Sequence, residues 1–139
     1  MNTTVSNSPK FTERYPDADL QEFRQIIQDN YKEAKEALEN LRNQIRDYSA
    51  RAADDFGADY GDDSNTNSEI EMLSDMAVRK RNHLRDLEYA MTRINNKTYG
   101  QCAVTGKLIP KARLLAVPTT TKSLEGKKIL AGELKANLN

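Results

Sequence analysis

Apolar residues recur along the first half of this chain at alternating intervals of four and three. Ile27, Tyr31, Ala34, Leu38, Leu41, Ile45, Tyr48 and Ala52 share one seam. Leu20 continues that seam toward the N-terminus; Arg24 interrupts it and Phe23, beside it, substitutes. Such spacing is a heptad pattern and predicts one long helix that presents a narrow apolar stripe to a partner helix. At about 1.5 Å per residue the helix is roughly 50 Å long. Asp17 or Asp19 is its candidate cap, and Glu22 lies three residues after Asp19, as in a capping box. The period breaks at Ala53, and the segment ADDFGADYGDDSNTN, with two glycines and several turn formers, reads as a connection. Ser68 then opens a second capping box with Glu71. The second seam runs through Ile70, Leu73, Ala77, Lys80, Leu84, Leu87, Met91 and Ile94. Lys80 is its one polar member, and its stem can lie along the seam with the ammonium in water.

Neither helix buries its stripe alone, so each stabilises the other. Pairing Ile27 with Ile94 and Ala52 with Ile70 keeps the apolar layers in register. The fold class predicted is mainly α: a long antiparallel coiled-coil hairpin with a small zinc-finger-like knob at its base. Residues 1–14 are polar and aperiodic and read as a disordered tail. Residues 15–95 form the hairpin, with its tip at about 54–66. Asn95 and Asn96 end the second helix, and residues 96–121 form the knob, in which Ile109, Leu114, Leu115 and Val117 are candidate core residues. Residues 122–139 are a C-terminal tail, either a weak helix or mobile.

Charge changes this picture more than composition does. The chain of 139 residues has a formal net charge of zero, so no overall field draws it to nucleic acid or an acidic membrane. Locally it is polarised. Asp54, Asp55, Asp59, Asp62 and Asp63 crowd the tip, and no Lys or Arg occurs between residues 52 and 78. Arg79, Lys80, Arg81, Arg85 and Arg93 follow, and Lys107, Lys111 and Arg113 lie in the knob. An acidic loop is ordinarily a solubility device. At the end of a stalk it also suggests carboxylates delivered to a metal or to basic groups elsewhere. No register of the tip supplies the glycine and terminal Glu of an EF-hand, so calcium binding is not expected. The single histidine, His83, reads as a surface residue, and no phosphate loop or nucleophile motif is present. The single cysteine, Cys102, excludes an intramolecular disulfide. The first residues lack a secretory pattern, and no apolar run is long enough to cross a bilayer, so a cytoplasmic, membrane-independent protein is expected. The lack of a catalytic motif gives no enzymatic role, and the register match between the two seams favours a monomeric hairpin over the alternative, two helices of an oligomeric bundle.

The residues R-I-N-N-K-T-Y-G-Q-C-x-x-T-G-x-x-I-P-x-x-R-L-x-A-x-P, from 93 to 118, following an acidic-tipped hairpin, resemble the DksA/TraR family of bacterial RNA polymerase-binding regulators. The resemblance covers about residues 18 to 125. It implies a four-cysteine zinc finger whose ligand positions fall here at Cys102, Thr105, Ser123 and Gly126. Three of the four are not cysteine, so zinc is not expected, nor is any other cofactor; apolar packing and hydrogen bonds from Thr105 and its neighbours replace the metal's role in folding. The family's D-x-x-D-x-A tip motif falls at Asp59, Asp62 and Ser64, with Ser in place of Ala. The mechanism so implied is direct binding to RNA polymerase, core or holoenzyme. The coiled coil enters the secondary channel, and the tip carboxylates act near the catalytic magnesium to modulate initiation without sequence-specific DNA binding. Arg79, Lys127 and Arg113 are candidate polymerase or nucleotide contacts. Guanosine tetraphosphate is a candidate ligand by the same resemblance; two of its basic contacts fall at Asp86 and Val117, and that exchange weakens binding of a polyanion.

Two other readings compete. A coiled-coil adaptor predicts that neutralising Asp59 and Asp62 changes nothing, whereas Leu38→Asp or Leu87→Asp abolishes binding. A transcript-cleavage factor resembling GreA would use its tip to hold a second metal; the finger-like motif speaks against it.

Overall fold

The computed structural model describes residues 13–54 and 60–133. Among them are four helices, α1 (Asp17–Asp54), α2 (Tyr60–Asn95), α3 (Lys111–Ala116) and α4 (Leu124–Leu130). The protein is mainly helical, with the two long helices in contact, and the described residues form no β-strand beyond one isolated antiparallel bridge between Gln101 and Leu108. α1 contains neither proline nor glycine, and α2 contains only Gly61, so nothing in either sequence interrupts the ladder of i to i−4 bonds.

The chain divides into two compact units. Asp29–Asp86 is a helix pair. Its core is Leu38 and Leu41 from α1 against Leu73 and Ala77 from α2, flanked by the partly buried Ile45, Tyr48 and Leu84. All seven are seam residues. Each buried leucine is worth roughly 1.5–3 kcal/mol of transfer free energy, so a charge at Leu38 or Leu73 would part the pair. Tyr48 also carries the Arg51 guanidinium over its ring at 4.3 Å.

The second unit joins the ends of the long helices to the knob, Met1–Gln28 with Leu87–Asn139. Leu20, Phe23 and Ile27 of α1 and Leu87, Ala90 and Ile94 of α2 are all buried. Phe23 takes the inward place that Arg24 cannot, and Arg24 instead reaches Met91 Sδ at 3.3 Å. Tyr99, Ile109 and Leu114 complete the core from the knob side. Phe23 sits between two tyrosine rings, Tyr15 edge-on at 5.3 Å and Tyr99 tilted at 5.0 Å. Burial pushes the Tyr99 phenol up to about 12, and its hydroxyl donates to the Pro118 carbonyl at 2.7 Å. The Tyr15 hydroxyl donates to the Ile109 carbonyl.

Several local expectations are corrected. α1 begins at Asp17, with the Pro16 carbonyl accepting from Leu20 N–H at 3.0 Å. Asp17 and Asp19 therefore lie in its first turn, suited to the positive end of the helix dipole, rather than capping it. α2 begins at Tyr60, not at Ser68. Once a helix is nucleated each further residue adds one bond, so it extends through residues of poor intrinsic propensity. In the knob, Leu114 is buried but Leu115 and Val117 are exposed, because one turn of α3 directs only one face inward. His83, read as a surface residue, is partly exposed on α2. Of the two alternatives for the C-terminal segment, residues 124–130 take the helical one, as α4, and close the knob. α2 ends as expected at Asn95. Lys97 adopts φ 66°, and Thr98 N–H bonds the Arg93 carbonyl at 2.9 Å, which is the Schellman geometry that ends a helix.

Candidate functional site

The knob is built around a sulfur atom. Gly100, at φ 88°, starts a tight reversal that brings Ile109 N–H to the Gly100 carbonyl at 2.7 Å and Cys102 N–H to the Lys107 carbonyl at 2.8 Å. A side chain at Gly100 would strike the Tyr15 ring at 2.7 Å, so both its backbone conformation and its surroundings require glycine. Gly106, at φ 75°, completes the turn, with its N–H on the Cys102 carbonyl. Ala103 N–H then bonds the Thr121 carbonyl at 2.8 Å and ties this turn to the segment entering α4. Ser123 caps α4 by accepting from Gly126 N–H at 3.0 Å.

These ties bring together Cys102, Thr105, Ser123 and Gly126, the four positions that the family resemblance marks. Cys102 Sγ is buried and accepts from the backbone N–H groups of Val104, Thr105 and Ser123, each at 3.4 Å, and from the Ser123 hydroxyl at 3.5 Å. A Cβ built on Gly126 would lie 2.8 Å from the same sulfur. Burial pushes the thiol up, but hydrogen bonds from Ser123 and Thr105 outweigh it and hold Cys102 at about 6 against an ordinary 9.0. A structural zinc site needs four N, S or O ligands. Here one position offers a thiol, two offer hydroxyls and Gly126 offers no side-chain donor. The set does not fit zinc, and no group of three His, Cys, Asp or Glu suited to a metal occurs among the described residues. Hydrogen-bond donors surround the sulfur instead.

The other sequence-derived candidates are dispersed. Asp59 lies outside the described residues, as do the side chains of Asp62 and Ser64, whose backbone belongs to α2. Arg79 is exposed on α2 in the unit Asp29–Asp86, whereas Lys127 is exposed on α4 in the other unit. Arg113 is half-buried and its guanidinium works inside the knob: Nε donates to the Lys122 carbonyl at 2.9 Å and a terminal nitrogen to Thr120 Oγ1 at 3.4 Å. Asp86 and Val117 are both exposed. One feature escapes the sequence reading, a groove of about 550 Å³ on the knob, lined by residues of the turn, α3 and the start of α4. Its far wall comes from residues 123–125, beyond the knob's expected end at residue 121; Ser123 ahead of a short helix is the cap signal that could have found it.

No model of a protein family matches the chain. The uncharacterised protein YteA of Bacillus subtilis is 50% identical over 48 residues, which are 34% of this chain and 20% of YteA, so the match spans a fifth of that relative. Transcription factor DksA2 from Pseudomonas aeruginosa has a solved structure that superposes with a TM-score of 0.74, at 22% identity, over 91% of each chain. Within the described residues no helix is long and apolar enough to cross a membrane. The long helix pair, the knob closed around Cys102 and this superposition together define a DksA-like fold.

Proposed function

We propose that this protein regulates transcription by binding RNA polymerase directly, without reading promoter sequence and without enzymatic activity. The observation that carries the reading is the likeness of fold, over nine-tenths of both chains, to a transcription factor. The polarity of the sequence supports it: residues 52–78 carry eight Asp or Glu and no Lys or Arg, while residues 96–132 are strongly basic. In this reading the paired helices enter the secondary channel. Asp59 and Asp62 place carboxylates near the catalytic magnesium or the basic groups around it, and Ser64 completes the motif. The knob holds its shape without metal, using the donors around Cys102 in place of a zinc ion. Arg79 and Lys127 serve as cationic contacts to polymerase. The same fold with acid at Asp86 and an apolar residue at Val117 binds guanosine tetraphosphate weakly.

The test is a titration of labelled protein against core RNA polymerase, run beside the Asp59→Asn/Asp62→Asn double variant and a promoter-complex lifetime assay. The expected result is saturable binding by both proteins and a change of lifetime only with the unmodified tip. Absence of saturable binding rejects the reading.

A further inference from the structure

We propose that the groove on the knob docks an acidic protein segment through one apolar anchor side chain. This goes beyond the polymerase reading and does not depend on it.

The groove offers an apolar concave surface. Leu108, Pro110, Ala112, Ala116 and Leu124 all line it, and its volume of about 550 Å³ falls in the range of pockets that bury a ligand group. Leu124 is 61% exposed although it heads a helix whose neighbouring Ser123 and Gly126 are buried. Leu115, at 47%, and Val117, at 41%, are exposed on the adjoining α3 and its C-terminal end. Of these three, Leu124 lines the groove itself, and a large apolar side chain left exposed on a concave apolar surface is the kind of feature that marks an interaction site.

Charge decides the partner. Residues 96–132 hold seven Lys or Arg against one acid, Glu125. Two of the seven are answered from α1: Lys97 pairs with Asp17 at 2.9 Å and Lys111 with Glu22 at 2.9 Å. Lys107, Lys122, Lys127 and Lys128 have no ion-pair partner among the described residues. Arg113 donates to neutral oxygens of Lys122 and Thr120. Lys107 and Arg113 line the groove itself, with Glu125 the one opposing charge there. The surplus is cationic around an apolar slot, which complements a segment with carboxylates flanking an apolar residue. A nucleic acid would also answer the charge. Yet sequence-tolerant strand binding relies on aromatic platforms, and no aromatic side chain lines this groove, Tyr99 being fully buried.

The experiment is a fluorescence anisotropy titration of the full chain with three labelled probes. These are a short Asp/Glu peptide with one central Leu, the same peptide with that Leu replaced by Gly, and a single-stranded DNA of equal charge. The expected result is saturable binding of the Leu peptide, weakened about tenfold or more by loss of its Leu, as burial of one apolar side chain implies. Leu124→Ser and Lys107→Glu each weaken it comparably; both residues are exposed, so circular dichroism stays unchanged. Equal binding of the two peptides, tighter binding of the DNA, or indifference to both substitutions overturns the proposal. So does concentration-dependent dimerisation through the same residues, which would make a second copy of this chain the occupant.

Discussion

Cys102 gives the sharpest test of the knob. Its sulfur is buried, receives three backbone N–H groups and one hydroxyl, and titrates near 6 instead of 9.0. A group whose folded pKa lies below its unfolded value stabilises the fold above the unfolded value, and that contribution is lost as pH falls through the folded one. Stability should therefore rise between pH 6 and 9 and level off outside that window. A tenfold difference in proton affinity between folded and unfolded states corresponds to about 1.4 kcal/mol, so the full effect is capped at about 4 kcal/mol. The perturbation is Cys102→Ser, which keeps a small polar acceptor and removes the titration. Urea unfolding of both proteins, at a pH below 6, at neutrality and near 9, reads the difference directly. Other titrating groups are common to both proteins and cancel. We expect the native chain to gain at least about 1 kcal/mol over the variant across the window, with thiolate ultraviolet absorbance of the folded protein appearing near 6. Parallel curves for the two proteins, or a thiolate that appears only near 9, would refute the idea that the donors hold a charged sulfur.

Three further outcomes follow from the same geometry. Gly100→Ala combines a left-handed backbone with a 2.7 Å approach to Tyr15 and should cost about 3 kcal/mol or more, read as a lowered Tm; an unchanged Tm would mean the turn relaxes freely. Tyr99→Phe leaves the Pro118 carbonyl without its 2.7 Å donor and should cost about 1–3 kcal/mol in denaturant unfolding. The triple variant Thr105→Cys, Ser123→Cys, Gly126→Cys should take up zinc, measured by metal analysis after gel filtration, whereas the native chain should not; a triple variant that stays metal-free would show that the four positions do not form a closed tetrahedral set.

Most of each long helix is legible from period alone. Ile27, Leu38, Leu41, Leu73, Leu87 and Ile94 lie on the seams and are buried, because a heptad stripe encodes which side of a helix loses water. The start of α2 is less legible: it lies eight residues before the capping box at Ser68, since Gly61 and the aspartates look like a linker when read one residue at a time. Intrinsic propensity gives way there to propagation from a helix already packed. The site is legible only in part. Likeness to a known finger motif marks Cys102, Thr105, Ser123 and Gly126, but does not show that they meet around one sulfur. Arg113, by sequence a candidate polymerase or nucleotide contact, ties α3 to residues 120–122, a role that no local signal gives away.

The sequence by itself thus determined the two heptad helices, their antiparallel pairing and the acid-rich stretch around residues 54–63. The helices and the charge depend on periodicity and composition of residues close together in the chain, and the pairing on the match between the two apolar seams. Only the tertiary structure decided that residues 122–130 belong to the knob, that Leu115, Val117 and Leu124 stay exposed, and that a groove opens between the turn, α3 and α4. Those outcomes depend on contacts such as Ala103 with Thr121 and Cys102 with Ser123, whose partners are about twenty residues apart and share no periodic signal.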